Sequence, residues 1–209
     1  MLQDVSMQNA NESHILHPGS RKLFRHWEMT RAEMPCPSRE SFELGPIRDV
    51  MADMVVIDRD HLRNGFRFRL AGTRVCDLYG RNITGQDVLL GWDDFEKDVI
   101  GRHLLTAFNQ KQPAVIRMRL TTDRTQQIAA ELLALPVTMA GSHRTQIIGG
   151  LFPFIETRNL GHTRIVAREL VSGRVIWTEH EEQLNIPHVS FATARSPERP
   201  FTVITGGKL

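Results

Sequence analysis

Cysteine is nearly missing from this sequence of 209 residues, with only Cys36 and Cys76. They stand far apart and without metal-ligand spacing, so they define neither a disulfide framework nor a zinc site, and they suit a reducing compartment. Tyrosine occurs once, as Tyr79. Of 26 lysines and arginines only Lys22, Lys97, Lys111 and Lys208 are lysine. The guanidinium fork matches carboxylates and phosphates, so this bias allows for an acidic partner, although genomic composition alone also produces it. Long apolar runs are absent too: none approaches the ~20 residues that cross a bilayer. Residues 1–20 carry Asp4, Glu12, His14 and His17 and lack the apolar centre of a signal peptide. A soluble, cytoplasmic protein is expected. The net charge of +2 is too small to argue for nucleic acid.

What is present suits one packed domain. Hydrophobic residues make up 41% and charged residues 24%, ordinary values for a globular chain. The length fits a domain of roughly 130–150 residues plus extensions. Residues 1–19 are polar, end in Pro18-Gly19 and read as a flexible arm. Ser20 then stands as an N-cap before an amphipathic helix whose stripe is Leu23, Phe24 and Trp27. A short helix is expected near 47–51, after Pro46.

Residues 54–58 form a short β-branched run, the mark of a buried strand. Phe66, Phe68 and Leu70 alternate with Arg67 and Arg69 in the next one. A short helix over Thr73–Tyr79 ends at Gly80, and a longer one over 95–111 shows Phe95, Val99, His103 or Leu104, and Phe108 at helical spacing. Three antiparallel strands follow, over 114–120, 127–138 and 145–155. The middle one is apolar on both faces near Leu132-Leu133, so something is expected to cover its outer side. Gly149-Gly150 in the last predicts a bulge or a close backbone approach. Residues 157–209 read as an extension with two short strands, 163–167 and 174–178, and a loose tail.

That order of elements resembles a PAS domain. The likeness is carried by Phe66-Arg67-Phe68-Arg69-Leu70-Ala71-Gly72-Thr73 and by Gly80-Arg81-Asn82-Ile83-Thr84-Gly85. Together they are similar to the "RYRLVGT" and "GRDLTG" pair of a bacterial family of compact, often single-domain PAS proteins. Trp27 and Arg31 echo that family's opening, and Leu135-Pro136-Val137 with Ile148-Gly149-Gly150-Leu151 echo its close. The resemblance covers about residues 21–156. It implies an α+β fold: a five-stranded antiparallel sheet with helices on one face, preceded here by the N-terminal helix. With that helix the PAS-like domain spans 20–156. The resemblance also implies sensing, signalling or protein–protein contact rather than turnover.

Candidate chemistry is sparse. Arg74, Tyr79, Trp92 and His103 are the candidates to line a ligand pocket. In some PAS sensors a histidine on the corresponding helix ligates haem, which singles out His103; a packed, hydrogen-bonded histidine is the commoner alternative. Cys76 lacks the surrounding run of flavin-binding PAS domains. His14, His17, His180 and His188 match no metal motif. No P-loop, Gly-x-Gly-x-x-Gly or nucleophile elbow occurs, and no catalytic residues are assigned. Arg59, Arg63 and Arg67 have the spacing of cyclic-dinucleotide barrels, but the second motif of those barrels is missing. Arg67, Arg69, Arg117 and Arg119 are read as protection of sheet edges.

The expectation is a regulatory sensor or interaction module with no output domain of its own. It would act on a protein partner or by homodimerisation, with Leu23, Phe24 and Trp27 as candidate contacts, and with neither nucleic acid nor membrane as partner. The alternatives are a small-molecule or haem sensor and, less favoured, an enzyme using the cavity. No tightly bound cofactor is expected. The absorbance spectrum of freshly purified protein should lack haem and flavin bands; a coloured preparation contradicts this.

Overall fold

Strand pairing organises the molecule, which is seen in a computed structural model that describes residues 11–141, 144–156 and 164–178. Six strands are involved: β1 (Met54–Asp60), β2 (Gly65–Ala71), β3 (Ala114–Thr122), β4 (Gln127–Thr138), β5 (Thr145–Pro153) and β6 (Ile165–Val175). They make one antiparallel sheet in the order β2-β1-β5-β4-β3-β6. The class is α+β, as expected. The sixth strand is a correction to the five. Where two short strands were expected, one continuous strand pairs with β3 from Ile165 to Val175, accommodating two register shifts.

Helices cover one face, as expected, and the N-terminal helix with a 3-10 helix covers the other. On the inner face lie α2 (Thr73–Tyr79) and α3 (Asp94–Gln110), while α1 (Pro18–Arg31) and a 3-10 helix (Gly45–Asp53) belong to the outer core. The strands' two-residue period divides the side chains between the layers. In β4, Ile128, Ala130, Leu132 and Ala134 enter the inner core, and Leu133, Leu135 and Val137 the outer one. The inward stripe of α3 is Ile100, Leu104, Ala107 and Phe108; Phe95, expected on that stripe, is exposed at the helix start.

The outer face explains α1. Pro18 occupies its first turn, so the cap is His17 rather than Ser20; the His17 ring accepts the Gly19 N–H at 3.0 Å. Leu23, Phe24 and Trp27 are buried in the outer core, and the Trp27 indole donates to the Pro136 carbonyl at 2.7 Å. Pro136 is tolerated because β3 ends opposite Ala134, leaving β4 only β5 as a strand neighbour there. A side chain at Gly149 would run into the Leu133 carbonyl, and one at Gly150 into the Phe152 ring. Close approach, not a bulge, therefore requires both glycines.

Part of the expected arm is also docked. Ile15 is fully buried, and the backbone N–H groups of Leu16 and His17 each donate to the Glu131 carboxylate at 3.0 Å. Glu131 is completely buried on β4 and also takes Arg117 Nε at 3.3 Å. Arg117 and Arg119 thus do not protect an edge: β6 lies outside them, and Arg119 pairs with Glu169 of that strand at 2.5 Å. Residues 1–10 and 179–209, with the expected C-terminal tail, lie outside the described residues. Among the described residues no helix is long and apolar enough to cross a membrane.

Because Trp27 is fully buried and hydrogen-bonded, Trp27→Ala should lower stability by about 3–5 kcal/mol. Chemical denaturation measures this, and an unshifted curve contradicts the packing.

Candidate functional site

The inner face carries an arrangement in which β6 touches the helical layer through three side chains. The first contact begins at α2. Gly72 approaches Ala52 too closely for any side chain, and Gly80, with φ of 63°, stops the helix in the left-handed conformation. Tyr79 is thereby buried beside Trp92, which precedes α3. Arg168 of β6 lays its guanidinium over both rings, 5.2 Å from the tyrosine centroid and 5.9 Å from the tryptophan, and donates to the Leu90 carbonyl. Burial pushes the Tyr79 phenol above its ordinary pKa, an effect opposed by Arg168 and Arg81.

Glu96 makes the second contact. Asp93 and Glu96 form a reciprocal capping box at the start of α3: the Glu96 N–H donates to Asp93 at 2.8 Å and the Asp93 N–H to Glu96 at 3.2 Å. The other Glu96 oxygen accepts the Leu170 N–H of β6 at 2.6 Å. One carboxylate, nearly buried, thus holds both its own helix start and the neighbouring strand.

His103 makes the third. Its Nδ1 lies 2.7 Å from the Val99 carbonyl, and its ring packs on Gly173, where a Cβ would come within 2.9 Å of Nε2. The β6 backbone closes the space beside Nε2 that a haem would need. The position does not fit a haem ligand; the imidazole is wedged between α3 and β6.

The structure therefore sets Tyr79 and Trp92 under Arg168 of β6, and His103 of α3 against Gly173 further along that strand. Arg74 it places elsewhere. The Arg74 guanidinium forms a two-pronged pair with the buried Asp53 carboxylate, its Nε 2.7 Å from Oδ1, and borders a cleft of about 190 Å³ with His17 and Phe152. Desolvation lowers the His17 pKa there, against the opposing fields of Glu131 and Asp53. Leu23, Phe24 and Trp27, candidates for a partner surface, are buried against their own sheet and unavailable to a partner in this conformation. The stripe thus covers the outer side of β4, the side near Leu132-Leu133 that was expected to need a cover. Among the described residues no three His, Cys, Asp or Glu side chains cluster as a metal site.

Neither Arg168 nor Glu96 is singled out by the sequence analysis. Nothing local marks Arg168, because its role exists only once β6 has paired with β3. Glu131 did leave a signal: it is the one charged residue inside the apolar run of β4.

A family model described as a PAS domain matches residues 15–152. No curated protein matches the chain. The matched span includes α1 and ends within β5, so it holds Tyr79, Trp92, Glu96 and His103, whereas β6, which they meet, lies beyond it.

Replacing Glu96 by alanine leaves the Leu170 N–H without its acceptor. Glu96→Ala should cost about 1–3 kcal/mol and speed hydrogen exchange at Leu170. Unchanged exchange at that amide contradicts the role given to the carboxylate.

Proposed function

We propose a regulatory role for this chain, which belongs to the PAS domain family: a sensor and interaction module that signals through β6 by self-association or by contact with a protein partner. The family is generally sensory, and the role is regulatory rather than catalytic. The observation that carries the reading is the position of β6. It is an edge strand whose inward residues Arg168, Leu170 and Gly173 meet the helical layer, while Val166, Val171 and the following Trp177 are exposed. A displacement of α3 or of the Tyr79–Trp92 corner shifts the strand that presents these apolar groups, so two arrangements of the helices become two arrangements of a contact surface.

A second copy of the chain suits this surface. Glu169 and Arg174, which within the chain already meet Arg119 and His14, carry opposite charges on either side of Val171, so a two-fold axis near Val171 would bring each towards the other's copy. Strand addition in perfect register is disfavoured, because the register shifts break the regularity of β6 and Glu96 already occupies the Leu170 N–H. The contact is therefore made largely by side chains.

Light scattering coupled to size exclusion should report two chains per particle for the full protein. The paired change Val171→Lys and Trp177→Lys, at exposed positions, should return it to one chain without loss of folded structure. A wild-type monomer at high concentration overturns the self-association reading, as does a variant that stays dimeric.

A further inference from the structure

At the opposite edge of the sheet from β6, the end of β1 and the start of β5 meet the last turn of α3 around a cavity of about 560 Å³. That size lies within the range of small-molecule sites. Three arginines line it: Arg59 from β1, Arg69 from β2 and Arg144 just before β5. The single carboxylate among the lining residues is Asp58.

Elsewhere on the sheet, arginines are held by acids: Arg67 by Asp60, Arg117 by Glu131 and Arg119 by Glu169. The cavity arginines are not matched in this way. Arg59 donates to the neutral Asn109 amide oxygen at 3.3 Å. Among the described residues Arg144 has no ion-pair partner. Arg69 reaches Asp58 only at 3.8 Å, and Asp58 is already engaged by the Gln146 amide at 2.6 Å. Three positive charges therefore border a concave surface that holds one carboxylate, Asp58. Guanidinium groups in that disposition offer forked donors to an anion carrying more than one negative oxygen.

We infer that this cavity binds a compact polyanion, a small molecule bearing phosphate or several carboxylates, through Arg59, Arg69 and Arg144. The site does not depend on β6 as a contact strand, from which it is separated by the width of the sheet. Phe108 and Met139 contribute apolar wall, so a ligand with an organic body beyond its charged group is accommodated. A nucleic-acid strand fits less well. It needs positive charge laid out along a stripe, whereas the neighbouring Arg67 is neutralised by Asp60.

Isothermal titration calorimetry on the full chain at low salt tests this with inorganic pyrophosphate and with citrate. Stoichiometric binding of either anion supports the site, and which one binds identifies the charged group as phosphate or polycarboxylate. Arg69→Gln and Arg144→Gln alter exposed side chains and should each weaken binding by about tenfold, with folding checked by circular dichroism. Arg124→Gln, in the β3–β4 turn at the other end of the sheet, should leave binding unchanged. The inference is overturned if neither anion binds, if the two cavity variants bind as the wild type does, or if Arg124→Gln weakens binding equally. Tighter, Arg69-dependent binding of a single-stranded oligonucleotide than of pyrophosphate also overturns it, in favour of a nucleic-acid groove.

Discussion

Leu132 and Ala134 of β4 turn to one face of the sheet, and Leu133, Leu135 and Val137 to the other, so water has to be excluded from both faces at once. Each large aliphatic side chain gains about 1.5–3 kcal/mol from full burial, and a central strand left bare on one side forgoes several such contributions. The helices α2 and α3 satisfy the inner face. The outer face is satisfied by α1, whose Trp27 hydrogen-bonds the Pro136 carbonyl, and by residues 15–17, fastened to the Glu131 carboxylate. A fully buried carboxylate is costly unless its lone pairs are taken up; here two backbone N–H groups and Arg117 do so. Glu131 therefore helps to fix where the chain enters α1, and α1 in turn seals the sheet.

This two-sided closure decides what is left for contact with other molecules. An apolar helix stripe is a natural docking element when nothing in its own chain covers it, but here its own sheet does. The contact surface proposed instead is β6, which lies at the sheet edge and still touches the helical layer through Arg168, Glu96 and His103. The family match ends within β5, so the strand proposed to carry the output lies outside the matched residues.

Much of this was legible in the residues, for physical reasons that differ by element. Strands β1 to β5 declare themselves because burial on one or both faces forces a two-residue period or a β-branched run. The helix α3 shows its acidic start, although Phe95 fits the helical spacing and still ends outside, since spacing alone cannot tell which end of a stripe the sheet reaches. Strand β6 was blurred into two pieces because Ser172-Gly173 looks like a turn; in fact Gly173 is small so that the His103 ring can pack on it. Of the four residues named for a pocket, Tyr79 and Trp92 both lie under the Arg168 guanidinium, whereas Arg74 is held by the buried Asp53. The arginine excess was visible as composition, but only the fold shows which guanidiniums meet acids and which converge on the cavity.

The most direct test is hydrogen exchange on the full chain, followed residue by residue down a dilution series that ends where light scattering shows only single chains. If one chain closes both faces of its own sheet, the amides of α1 around Leu23 to Trp27 and those of β4 remain protected at the lowest concentration, and only β6 and Trp177 change protection as copies associate. Free exchange along α1 in the monomer, with protection gained on association, would show instead that a second molecule covers the outer face.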